Sequence, residues 1–257
     1  MIASGGSVSV IIPTAGALAP GKSNGRAMVL DLIESLGNEE GIHTIIVVDD
    51  HAPSSVHDEL VSCAKTIVRP YTEPFNFSKK CNLGALTSSS DILFFLNDDM
   101  ICLDPNWPMA IRQTLSRGDV GAVGGLLLTP EGLVQCAGHK NSPAPHIFGA
   151  GLDPTDPANR PLVGTERQVG GLSGACFAVR RDLFLEVGGM CELLPESYND
   201  VDLGFKILGT GKSLIFNPAI RFTHFESATR DPKVKPEDFE FISRRWGRHF
   251  RHDPYTP

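Results

Sequence analysis

Five consecutive apolar residues, Ile92 to Leu96, run straight into three polar ones, Asn97-Asp98-Asp99. A short run that is apolar throughout reads as a strand buried on both faces of a sheet, and its polar end belongs at a sheet edge. The same pattern recurs twice. Val8 to Ile12 stops at Pro13-Thr14, and Thr44 to Val48 runs into Asp49-Asp50. Between these strands lie helix-like segments. Arg26 to Leu36 carries Met28, Val29, Leu32, Ile33 and Leu36 at helical spacing and stops at Gly37, Val56 to Ala64 follows, and Ser78 is placed to cap a helix through Leu86. Thr66 to Val68 adds a short strand. This alternation predicts an α/β fold with a central, mostly parallel sheet flanked by helices. In open sheets of that kind ligands bind at the C-terminal ends of the strands, where all three polar clusters fall.

The second half is less regular. Val120 to Leu128 reads as a strand pair interrupted at Gly124-Gly125, and Ala137 to Arg160 as a long Gly-, Pro- and Asn-rich loop or lid. Gln168 to Val179 is a Gly-rich turn leading into a buried strand. Arg181 to Val187 is a helix closed by Gly188-Gly189, Val201 to Leu208 is another, and Ser213 to Phe216 returns as a strand. With no internal repeat, the simplest organisation is one domain over residues 1–257: a first half at about 8–125, a second at about 126–230, and a helical tail at 231–257.

Charge and cysteine usage exclude some classes of function. A net charge of −7 gives no global basic field, so nucleic acid is not an expected partner. Arg244, Arg245, Arg248 and Arg251, with His249 and His252, gather near the C-terminus. They read first as a solvated helix face and second as a contact for phosphate or an anionic membrane surface. The six cysteines form no CxxC pair and sit mostly among apolar neighbours, as small buried thiols of a reduced, cytoplasmic protein do. No signal-peptide pattern opens the chain, and no apolar run approaches the ~20 residues of a membrane span. The inner face of the membrane is the second location considered.

Four constellations carry chemistry. Asp98 and Asp99 must be solvated, paired or metal-bound, and a hard divalent cation sharing a diphosphate would use them well; a capped turn with solvated acids is the alternative. Asp49-Asp50 can accept from a ribose hydroxyl or a base N–H, and Pro13-Thr14 beside it makes a nucleotide cleft more plausible. Asp200 and Asp202 open a helix. Asp202 reads as a cap or dipole partner, whereas Asp200 divides evenly between that role and a general base acting on an acceptor hydroxyl. His224 at a strand end is a candidate metal ligand, although a lone histidine is more often structural. His43, His139 and His146 have no comparable context and receive no role.

Taken in order, these segments resemble the family 2 glycosyltransferases with the GT-A fold. The matching stretches are Val10-Ile-Ile-Pro-Thr14, Ile46-Val-Val-Asp-Asp50, Phe75 to Ala85, Phe94 to Met100, Gly174 to Arg181, Val187-Gly-Gly189, Asn199-Asp-Val-Asp-Leu203, Asn217-Pro-Ala219 and His224-Phe-Glu-Ser227. They look closest to bacterial enzymes of cell-surface polysaccharide synthesis, rhamnosyltransferases among them. The resemblance implies a GT-A domain with a nucleotide-binding first half and an acceptor-binding second half. It implies an enzyme that moves a sugar from a UDP-, dTDP- or GDP-linked donor to a hydroxyl on a glycan, a lipid-linked glycan or another acceptor.

Residue by residue, Pro13, Thr14 and Asp49 would surround the base and ribose, with Lys79 and Asn82 also facing the nucleotide. Asn97-Asp98-Asp99 would be the family's Asp-x-Asp motif, with Asp98 near ribose or phosphate and Asp99 on Mn²⁺ or Mg²⁺. Asn at the first position removes one charge and makes Asn97 a hydrogen-bonding residue. His224 would be the second protein ligand and Asp200 the base of an inverting reaction. Gly171, Ser173 and Gly174 would line the donor-sugar and acceptor pocket. Three rivals stand beside this reading. A sugar nucleotidyltransferase would use a Gly-rich basic loop such as Gly21-Lys22-Ser-Asn-Gly25-Arg26, but it leaves Asp200 and His224 without a joint role. A Rossmann oxidoreductase lacks its G-x-G-x-x-G after the first strand. A non-catalytic sugar- or nucleotide-binding module has no need of Asp99, Asp200 and His224 together.

Overall fold

A computed structural model describes residues 6–18, 26–37, 41–225 and 234–255. Gly21 to Gly25 of the basic loop, Glu226, Ser227, and the last two residues, Thr256 and Pro257, lie outside the described residues. The first half alternates as its pattern predicts: β1 (Val8–Thr14), α1 (Met28–Leu36), β2 (Ile42–Asp49), α2 (Ser54–Ser62), β3 (Thr66–Pro70), α3 (Phe77–Thr87), β4 (Ile92–Leu96), β5 (Met100–Cys102) and α4 (Trp107–Leu115). The second half holds β6 (Val120–Leu128), β7 (Val134–Cys136), β8 (His139–Lys140), β9 (His146–Ile147), α5 (Arg160–Val163), β10 (Arg167–Gln168), β11 (Cys176–Arg180), α6 (Arg181–Glu186), α7 (Asn199–Leu208), β12 (Ser213–His224) and α8 (Pro236–Trp246).

One sheet runs through both halves in the order β10-β12-β6-β11-β4-β1-β2-β3, with β5 on β12 and β7 on β6. Strands β3, β2, β1 and β4 are parallel, and β12 is parallel to β6. Antiparallel β11 joins the two blocks. Since β11 opposes both β4 and β6, the strands on either side of it point the same way. The ends of β1, β4 and β12 therefore share one edge.

Side chains alternate across this sheet and fill a core on each face. Phe94 packs on Trp107 at 4.9 Å and on Phe222 at 6.0 Å, while its neighbour Phe95 packs on Phe184 at 5.1 Å on the other side. Burying each such ring contributes roughly 2–3 kcal/mol. No helix among the described residues is long and apolar enough to cross a membrane.

Four expectations need correction. Helix α3 is capped by Asn76, whose side chain accepts from Lys79 N at 3.0 Å; Ser78 instead donates to Leu194 O. Strand β6 is continuous through Gly124-Gly125, because both glycines are sites of close backbone approach and not turns. The 137–160 stretch carries a small hairpin of β8 and β9. Asp202 is no exposed cap: it is fully buried and accepts from Trp246 Nε1 at 2.8 Å. That bond draws α8 onto α7, so Arg245 of the basic cluster also faces Asp202, at 3.0 Å.

Candidate active site

The shared strand edge opens into a cleft of about 340 Å³. Pro13 and Thr14 come from the end of β1, Asn97, Asp98 and Asp99 from the end of β4, and His224 from the end of β12. Ser173 and Gly174 precede β11, and Asp200 lies in the first turn of α7. Segments 127 residues apart thus meet, as Asn97 Nδ2 and His224 Nε2 do at 3.3 Å.

Pairing of β5 with β12 brings His224 opposite Met100, and Phe225 N donates to Asp99 O at 2.9 Å. That register sets His224 Nε2 3.1 Å from Asp99 Oδ1. On the far side of the ring, Nδ1 lies 2.6 Å from Gln135 Oε1, which places a proton on Nδ1, and in the neutral ring Nε2 then keeps its lone pair, to which Asn97 Nδ2 can donate. Asp99 Oδ1 is buried and accepts no hydrogen bond. In the neutral ring that lone pair faces the carboxylate oxygen, a repulsive contact that either a second ring proton or a cation shared by the two groups relieves. The donor set fits Mn²⁺ or Mg²⁺, with Gln135 orienting the ring from behind. Among the described residues no group of three or more His, Cys, Asp or Glu side chains gathers as a metal site, so a cation here would need further oxygens from a ligand.

Asp98 is half-buried and accepts from Thr14 Oγ1 at 2.6 Å. Burial, with some help from the Asp99 charge, pushes its carboxyl up to about 6 against the pull of Thr14 and Lys80. Its folded-state affinity for a proton is therefore raised. The linked stability is present in acid and is lost as pH rises through about 6. At pH 7 the ionised carboxylate burdens the fold by about 1–2 kcal/mol once partial exposure is discounted. Asp98→Asn keeps an acceptor for Thr14 and is expected to raise Tm by about 3–5 °C at pH 7, with no gain near pH 4. Thermal melts at the two pH values decide this; an equal gain at both would show that charge is not the cause.

Asp200 is held by backbone. Its Oδ2 accepts from Gly174 N and its Oδ1 from Val201 N, both at 2.8 Å. A Cβ on Gly174 would sit 3.2 Å from Asp200 Cβ, a tight contact to which Asp200 would have to yield by a few tenths of an ångström. Tyr198, just before the helix, is left-handed at φ 58°.

Four of the site residues that the resemblance implies do not line the cleft. Asp49 is buried behind it, accepting from Ala52 N at 2.8 Å and contacting His57 Nδ1 at 2.7 Å. Lys79 turns outward to Glu73. Asn82 ties down the turn after α6, accepting from Met190 N at 2.9 Å. Gly171 braces the hairpin, its carbonyl accepting from His139 N at 2.8 Å.

Other lining residues went unassigned. Lys80, rather than Lys79, enters the cleft; it is 3 % exposed and pairs with Asp50 at 3.0 Å, 4.3 Å above the Phe75 ring. Its signal was helical spacing: Lys80 lies one turn before Gly84, where the helix packs against Ile11. Gln135, Tyr198 and His139 also line the cleft. Burial lowers the His139 pKa and so favours the neutral ring, and the nearby Asp200 charge partly opposes this shift.

Residues 9–188 match the profile of glycosyl transferase family 2. The chain is 34 % identical over 178 residues to the O-antigen biosynthesis protein RfbC of Myxococcus xanthus, covering 67 % of this chain and 14 % of that protein. It is 31 % identical over 149 residues to an N-acetylglucosaminyl-diphospho-decaprenol L-rhamnosyltransferase of Mycobacterium tuberculosis, covering 52 % and 44 %. It thus spans about a seventh of the first relative and under half of the second. The crystal structure of GalNAc-T7 with UDP, GalNAc and Mn²⁺ superposes with a TM-score of 0.68 at 14 % identity, over 94 % of this chain and 48 % of that one, so the two share the GT-A fold. The family match ends at Gly188, before both Asp200 and His224.

Proposed function

This chain belongs to glycosyl transferase family 2, and from that premise we propose that it is a metal-dependent, inverting transferase acting in cell-surface polysaccharide synthesis. It moves a sugar from a nucleotide-sugar donor to a hydroxyl of a glycan or lipid-linked acceptor. The observation that carries this is the meeting of the Asp99–His224 pair with Asp200 in one cleft. An Mn²⁺ or Mg²⁺ ion held by Asp99 and His224 would neutralise the diphosphate as it leaves. Thr14 and Asp98, already hydrogen-bonded to each other, bind the nucleotide, with Pro13 and Asn97 beside them and the buried Lys80 adding a fixed positive charge. Asp49 and Asn82 support this half from behind. Asp200 takes the proton from the attacking hydroxyl, whose oxygen bonds to the anomeric carbon as the bond to the diphosphate breaks on the opposite face. Ser173 and Gly174 border the space between donor and acceptor. The rhamnosyltransferase relative acts on a decaprenyl-linked sugar, which supports an acceptor of that class.

The test is a binding and hydrolysis screen of UDP-, dTDP- and GDP-sugars, with and without Mn²⁺, on wild type and Asp99→Ala. One donor is expected to bind only with metal, and the variant to lose about 100-fold or more in that affinity. If no donor binds wild type under any metal condition, the proposal is abandoned.

A further inference from the structure

Asp200 and Asp202 lie two positions apart on α7, on opposite sides of the helix. Asp200 faces the cleft and Asp202 the interior. A fully buried carboxylate is costly unless it is paired, and here the pairing comes largely from the C-terminal helix. Asp202 Oδ1 accepts from Trp246 Nε1 at 2.8 Å and lies 3.0 Å from Arg245 Nε. Its Oδ2 lies 3.0 Å from Lys206 Nζ, which also donates to Gly189 O at 2.9 Å. Around the polar knot, Trp246 stacks on Phe205 at 5.3 Å, and Phe239 meets Tyr198 at 6.2 Å. Tyr198 is the left-handed residue that opens α7. Such a conformation persists in a non-glycine residue only where the surroundings hold it. At the rim, Lys235 before α8 pairs with Glu196 of the cleft at 2.8 Å.

Resting on the reading of Asp200 as the base, we propose that Asp202 is its positioning residue. Trp246 and Arg245 lock Asp202, Asp202 locks the first turn of α7, and that turn aims Asp200 across the cleft. Helix α8 therefore completes the catalytic geometry of a domain whose family match ends before α7 begins. Donor binding is expected to be independent of this knot, because the residues of β1 and β4 that line the nucleotide side are held by other partners, Thr14 by Asp98 and Asn97 by His224.

The test is Trp246→Phe, which keeps an aromatic ring on Phe205 while removing the Nε1–H donor together with the five-membered ring that carries it, with Arg245→Met as the second variant. Metal-dependent donor hydrolysis, measured well below Tm, is expected to slow about tenfold in each, with donor Kd within twofold of wild type. The Gly174 amide, which donates to Asp200, is expected to exchange its hydrogen about tenfold faster. Unchanged hydrolysis and exchange alongside a lowered Tm would overturn the proposal and leave the knot a structural tie. A loss of donor affinity in step with rate would overturn it as well. If wild type hydrolyses no donor, the catalytic reading fails by itself, and the exchange arm still decides whether α8 holds Asp200.

Discussion

Asp200→Asn is expected to cut the rate of sugar transfer about a thousandfold while leaving donor affinity within a factor of two. The asymmetry follows from how the side chain is held. An asparagine carbonyl can still accept from Gly174 N or Val201 N, so the first turn of α7 keeps its geometry. What disappears is a group able to take a proton, and a positioned general base contributes about 10²–10⁴ in rate. Asp99→Ala should behave oppositely, losing metal-dependent binding before any chemistry can be measured. Single-turnover transfer or hydrolysis at saturating donor, set beside donor Kd, separates the two. A rate loss below tenfold for Asp200→Asn would remove Asp200 from the role of base. The neighbouring His139, whose neutral form burial favours and which lines the same cleft, would then be the group to test.

The nucleotide half was legible because its information is local. A strand buried on both faces must be almost entirely apolar, and the point where it meets solvent must turn polar, so Pro13-Thr14 and Asn97-Asp98-Asp99 announced both the strands and the edge they share. What stayed hidden depends on contacts between distant segments. Lys79 and Lys80 are adjacent and chemically alike, and only the packing of α3 on Ile11 sends one outward and the other into the cleft. Asp202 resembled any acid in a first helical turn until Trp246, 44 residues later, closed over it. His139 lacked a sequence context because its place is set by a two-residue strand pair and by the Gly171 carbonyl. Asp49 and Asn82 carry the residue types of a ligand site and use them for internal ties.

Gly124-Gly125 misled for a related reason, and the error points to a large effect on stability. Two glycines inside an apolar run suggest a turn, yet β6 passes straight through them between β11 and β12. A Cβ on Gly125 would lie 2.3 Å from Ile220 O, a backbone atom of β12 that no rotamer change can move aside. Either β12 shifts away from β6 or the pair separates, and both responses disturb a strand whose last residue is His224. Gly125→Ala is therefore expected to destabilise the fold by about 3 kcal/mol or more, at or beyond the top of the range for overpacked core positions. For a chain of this size that lowers Tm by about 6–12 °C. Gly118→Ala is the matched control: its added methyl would meet nothing within 4 Å, so its effect should stay within about 0.5 kcal/mol. Thermal unfolding of the two variants decides the matter. A Gly125→Ala protein melting within a degree of wild type would show that β6 and β12 are not packed as tightly as their register requires. In the expected case, the variant studied below its lowered Tm should also bind donor more weakly with Mn²⁺ than wild type does. The strand that carries His224 to Asp99 depends on Gly125 to lie against β6.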